Sequence, residues 1–167
     1  MATMSGTIYY QTKYGSTEEY ATWLSEDVGF KLMNIKKGPK IGSEQVVVLG
    51  SSLMMGKVTA AGWIKKNWDS MKDKKLVFFS VGGSKVGSKE RADIITRCLP
   101  EDVIKKMKIF HLPGRIDHKK LNFLMSRMIK SFAKNEKDEV EKRRAIDGYN
   151  DVKRENLNPI VAYIKSL

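Results

Sequence analysis

Apolar residues along this chain fall into two kinds of run. Short, nearly continuous runs rich in β-branched and aromatic residues occupy residues 7–11 (TIYYQ), 45–50 (QVVVLG), 74–81 (KKLVFFSV) and 108–112 (KIFHL). Such runs predict strands covered on both faces, as in a parallel sheet. Residues 31–35 form a weaker fifth run, second in chain order. Between the runs, apolar positions recur at helical spacing: Tyr20, Trp23, Leu24 and Val28, then Ala60, Ala61, Ile64, Trp68 and Met71, then Ala92, Ile95 and Leu99. A short helical segment after Pro100 and a final helix over residues 155–167, with Pro159 in its first turn, complete the pattern. Five strands alternating with helices, without tandem hairpins, predict right-handed crossovers and a doubly wound α/β sheet.

At 167 residues with 41% hydrophobic content, the chain is expected to build one core, so residues 1–167 are read as one domain. No run approaches the length of a membrane span and the first six residues are too polar for a signal peptide, so a cytoplasmic location is expected. The single Cys98 has no CxxC partner, and His111 and His118 lie far from other ligand types, so no metal site is expected. The net charge of +12 changes the picture more. It calls for an acidic partner or surface, and because the lysines and arginines are not interleaved with aromatics, an anionic membrane or a redox partner suits it better than nucleic acid.

In doubly wound sheets, ligands bind beyond the C-terminal ends of the strands. That rule selects the loops after the first, third and fourth strands. The first, Thr12-Lys13-Tyr14-Gly15-Ser16-Thr17, offers three hydroxyls and a run of backbone N–H groups at a helix start, with Gly15 allowing close approach. Two readings stay open for it: a phosphate nest, or a helix simply capped by Ser16. No GxGxxG and no GxxxxGK[ST] is present, and the second strand ends near Asn34 without a carboxylate for a ribose, which weakens dinucleotide and P-loop readings.

The first loop resembles the phosphate motif of flavodoxins, and it stands where that family has it. Gly50-Ser51-Ser52-Leu53-Met54-Met55-Gly56 and Ser80-Val81-Gly82-Gly83-Ser84-Lys85 fall where the family's two ring-binding loops belong. The resemblance covers about residues 7–112. It implies a five-stranded sheet in the order 2-1-3-4-5 and a bound FMN, with Thr12, Ser16 and Thr17 on the phosphate, Ser51, Ser52, Leu53, Met54 and Met55 along the ribityl chain and ring, and the loop from Val81 through Gly82, Gly83, Ser84 and Lys85 near the pyrimidine end. Many flavodoxins sandwich the ring between aromatics, and these two loops contain none. Leu53, Met54 or Met55 would have to pack there, while Lys57 and Lys85 would favour an anionic reduced flavin.

About forty residues, 113–150, separate the fifth strand from the final helix, more than a crossover needs. Within them Leu121, Leu124, Met125, Met128, Ile129 and Phe132 form an apolar stripe, and His118, Lys119, Lys120, Arg127, Lys130 and Lys134 make the remainder basic. Such a helix suits a membrane interface; the same stripe also suits packing on the sheet or in a homodimer. The layout resembles the flavodoxin-like protoporphyrinogen dehydrogenases that use menaquinone, which implies two-electron oxidation delivered to a quinone. The expected function is therefore an FMN redox protein, an electron carrier or oxidoreductase, working with a partner protein or quinone. The alternative is a flavin-free module whose basic face binds anionic lipid or nucleic acid.

Overall fold

The computed structural model describes residues 3–83 and 86–167; Ser84 and Lys85 of the third loop lie outside the described residues. The chain opens with β1 (Gly6–Gln11), α1 (Ser16–Val28) and β2 (Lys31–Asn34). β3 (Val46–Met54), the two-residue β4 (Lys57–Val58) and α2 (Ala61–Met71) follow. Next come β5 (Lys75–Gly82), α3 (Lys89–Cys98), α4 (Glu101–Lys106) and β6 (Met107–Pro113). After β7 (Arg115–Ile116), two helices, α5 (Phe123–Ala133) and α6 (Glu139–Asp147), lead to β8 (Tyr149–Asn150) and α7 (Asn158–Lys165).

Five strands pair in parallel in the order β2-β1-β3-β5-β6. With the short β4 left out of the numbering, this is the expected 2-1-3-4-5 arrangement of a flavodoxin-like α/β fold. Successive residues of a strand face opposite sides, and here both sides are cores. Ile8, Tyr10, Val46, Val48, Val77 and Phe79 pack beneath α1 and α7 with Tyr20, Leu24 and Ile160. Tyr9, Val47, Leu49, Leu76 and Phe78 pack on the other face against Ile64, Ile94 and Val103 of α2, α3 and α4. The unbroken apolar runs thus reflect two-sided burial. Gly50 is required by the same crowding, because a Cβ there would stand 2.4 Å from the Phe79 ring.

Two details differ from the sequence expectation. β3 does not stop at Gly50 but runs to Met54, turns through Met55 (φ 53°) and Gly56 (φ 70°), and pairs back antiparallel through β4. Both central residues of such a two-residue turn need positive φ, which Met55 adopts at a cost of about 1 kcal/mol. The final helix is divided: residues Arg154–Leu157 form a tighter 3-10 turn, and the α-helix begins at Asn158 with Pro159 in its first turn. Proline lacks the N–H and excludes the preceding residue from a regular helix interior. Residues Glu139–Asp147 form α6, which Asp138 caps through the N–H groups of Val140 and Glu141 and which buries no residue. Among the described residues, no helix is long and apolar enough to cross a membrane.

Candidate functional site

A cleft of about 270 Å³ lies beyond the C-terminal ends of the parallel strands. Its first wall is the loop between β1 and α1. Gly15, at φ 95°, is the residue that turns the chain into the helix, and no side chain caps the helix there. Ser16 is therefore the first helical residue and not its cap, which corrects the capping alternative. The first-turn N–H groups are left without a side-chain acceptor, and the positive end of the helix dipole faces the same region.

The three hydroxyls of this loop do different work. The Thr12 Oγ1 accepts the Gly15 N–H at 2.9 Å and so folds the loop on itself. Thr17 is fully buried, its hydroxyl 2.8 Å from that of Ser52, which in turn donates to the Gln11 carbonyl at 3.4 Å. That pair ties the first loop to the second. Of the three, Ser16 lines the cleft, together with Tyr14, whose hydroxyl is buried and has no hydrogen-bond partner among the described residues. Lys13 is exposed, with its ammonium 5.6 Å from the centre of the Tyr14 ring.

The second and third loops form the floor. Ser52, Leu53, Met54 and Met55 line the cleft, as do Val81, Gly82 and Gly83. Ser51 does not. Its fully buried hydroxyl accepts the Ala60 N–H at 3.0 Å and donates to the Ser52 carbonyl at 3.1 Å, so it anchors the approach to α2. The Ser51 hydroxyl, expected along a ribityl chain, is thus engaged by the Ala60 N–H and the Ser52 carbonyl in this structure. Lys57, expected to bias the flavin charge, pairs across the turn with the lining residue Met54 but does not itself line the cleft, whereas Lys120 does.

Beneath the floor sits a charged group that sequence reasoning missed. Arg91 of α3 is fully buried, and its guanidinium donates to the carbonyls of Leu112 at 2.8 Å, Gly82 at 2.6 Å and Ser80 at 3.4 Å. It thereby gives these carbonyls, at the C-terminal ends of β5 and β6, a charged donor. Desolvation lowers its affinity for the proton from the usual arginine value. His111, whose Nδ1 is 2.7 Å from the Ser80 hydroxyl, is held below the usual imidazole range by burial first and by the Arg91 charge second.

The remaining wall comes from residues 113–150, which the sequence alone left outside the site. Gly114, Arg115, Ile116 and Asp117 close one end, and Leu121, Met125, Met128, Ile129 and Phe132 present an apolar face along the cleft. The predicted stripe thus largely lines the cleft, and Phe132 at its end is also 68% exposed. Leu124 departs from it: at 69% exposure, with Phe123 at 79%, it points out to solvent. His118 fastens this wall, with Nδ1 2.7 Å from the Ser126 hydroxyl of α5 and Nε2 2.9 Å from the Ala145 carbonyl of α6. Tyr149 of β8 donates from its hydroxyl to the Gly83 carbonyl at 3.2 Å, and the Arg144 guanidinium stacks 4.3 Å over its ring. Helical spacing was the signal for this wall; its direction was not encoded in the spacing.

A doubly wound sheet with an uncapped helix start after its first strand, opening on a cleft above the strand ends, defines the nucleotide-binding class of α/β proteins. The sequence profile of the flavodoxin domain matches residues 7–143, most of the chain, and the chain belongs to that family. The matched range runs past residue 112 through α5 and into α6. Membership supports a flavin-binding redox role. No curated protein sequence matches the chain. Among solved structures, a flavodoxin from the domain Archaea is 12% identical over 97% of this chain and 99% of that one, with a TM-score of 0.48. The Trp repressor binding protein from Bacillus subtilis is 10% identical over 85% and 96%, with a TM-score of 0.47. A WrbA-like flavodoxin from Agrobacterium tumefaciens is 12% identical over 98% and 99%, with a TM-score of 0.46.

Proposed function

We propose that the cleft holds FMN and that the protein is a flavin-dependent redox protein. The observation that carries this reading is the meeting, in one cleft, of the uncapped start of α1, the buried and unpartnered Tyr14 hydroxyl, and a largely apolar remainder. A phosphate suits the first feature, a hydrogen-bonding ring substituent or ribityl hydroxyl the second, and a planar ring system the third. When bound, the flavin would supply one- and two-electron transfer. The chain's own contribution is placement and field. Thr12 shapes the phosphate loop, Arg91 holds the carbonyl ends of β5 and β6 in place, and Lys120 and Arg115 put positive charge beside the cleft, which favours an anionic guest.

The acceptor we infer is an apolar one of the quinone class, reached from an anionic membrane. Supporting it are the methionine-rich face of α5 along the cleft, the exposed Phe123, Leu124 and Phe132, and the lysines that flank them. Oxidation of a porphyrinogen, which the resemblance to the menaquinone-using dehydrogenases implies, belongs to this same reading. A titration of the purified protein with FMN, followed by quenching of flavin fluorescence, tests the first step. Saturable one-to-one quenching is expected; no uptake would favour the flavin-free binding module. Reduced, FMN-loaded protein is then expected to reduce a soluble quinone faster than it reduces a ferredoxin-type protein.

A further inference from the structure

Arg115 stands at the junction of two walls that are 96 residues apart in sequence, where its Nη1 donates to the Glu19 Oε2 at 2.6 Å. Its Nη2 lies 3.5 Å from the point where a Cβ on Gly15 would be, so the guanidinium covers the start of α1. We propose that Arg115 reads the phosphate of the bound cofactor and selects the phosphorylated flavin over riboflavin. This rests on the flavin reading above.

The position is built into the fold. The Gly114 N–H donates to the Gly82 carbonyl at 3.1 Å, and a Cβ on Gly114 would lie 3.2 Å from that same carbonyl, so the chain leaving β6 is pressed onto the floor. β7 then pairs Arg115 with Asn150 of β8, which holds the backbone while the side chain reaches across to α1. A guanidinium carries five N–H donors in a fixed fork, and Glu19 takes one end of it.

Electrostatics makes the contact matter for an anion. Glu18 and Glu19 both stand in the first turn of α1, where they favour the helix dipole but repel a phosphate at the same place. Glu18 accepts from the Tyr10 hydroxyl at 2.8 Å, and Glu19 is offset by Arg115. The ion pair is only partly screened, since the side chain of Arg115 is 17% exposed and that of Glu19 is 36% exposed. Losing Arg115 therefore acts twice: it removes a donor fork and uncovers a carboxylate. Losing Glu19 acts in the opposite sense.

The test compares FMN and riboflavin by fluorescence titration of the full chain. Arg115→Gln is expected to weaken FMN about tenfold to a hundredfold, as for a charge-assisted contact, with riboflavin unchanged. The loss should shrink as salt rises. Glu19→Gln is expected to tighten FMN and leave riboflavin unchanged, and it supplies the answer if Arg115→Gln does not fold. Equal changes for both ligands, no change for either, or a wild-type protein that binds riboflavin as tightly as FMN would overturn the proposal alone. A wild-type protein that binds neither overturns the flavin reading and the proposal with it.

Discussion

The two sides of the cleft are made in opposite ways. On the β1–α1 side, Ile8, Tyr20 and Leu24 are fully buried, Thr17 is locked to Ser52, and the loop hydroxyl of Thr12 is spent on its own backbone. On the α5–α6 side, Ala133 is the buried residue of α5, α6 buries none, and Phe123, Leu124 and Val140 are 79%, 69% and 68% exposed. One wall is an outgrowth of the core and inherits its rigidity. The other leaves apolar surface uncovered, a condition that costs solubility and is found where a surface meets something else. A site assembled from both can hold one partner firmly while admitting a second from the open side.

The largest separation between the walls is expected at Arg91. Arg91→Met removes the guanidinium donor from the Leu112 carbonyl and leaves the Gly82 carbonyl with the Gly114 N–H alone, and should cost about 3 kcal/mol in urea unfolding. An effect under about 1 kcal/mol would mean that the floor does not depend on it. Thr17→Val, which breaks the link to Ser52 inside the core wall, should cost about 1 to 2 kcal/mol by the same measurement. The smallest effect is expected on the other wall. Phe123→Ser with Leu124→Ser should change stability by no more than about 0.5 kcal/mol, yet weaken sedimentation with anionic vesicles. Marked destabilisation by that pair would show the α5–α6 wall to be part of the core after all.

The legible part of this molecule is the part governed by local periodicity and two-sided burial. Runs such as VVVL at residues 46–49 read as buried strands because both faces are covered, and the three loops followed from where those strands end. The stripe of residues 121–132 was legible as a helix with an apolar side. Its target was not, because a helical pattern specifies a face and not the surface that meets it. Ser51 shows the same limit: that its hydroxyl accepts the Ala60 N–H follows from the register of β3, which decides which side a residue faces. Nothing local distinguishes Arg91 from the other cations of a chain of net charge +12, and its burial is explained by the carbonyls of Ser80, Gly82 and Leu112 that the fold brings together.

By itself, then, the sequence determined the alternation of strands and helices, the positions of the loops above the sheet, and the glycine that lets the chain enter α1. These depend on residues a few positions apart, where propensity and periodicity act. The tertiary structure decided that residues 113–150 close over the same cleft, that Tyr14 keeps an unpartnered hydroxyl there, and that Arg115 meets Glu19 at the start of α1. Those contacts join segments far apart in the chain, and their geometry is set by how whole elements pack, which no local pattern contains.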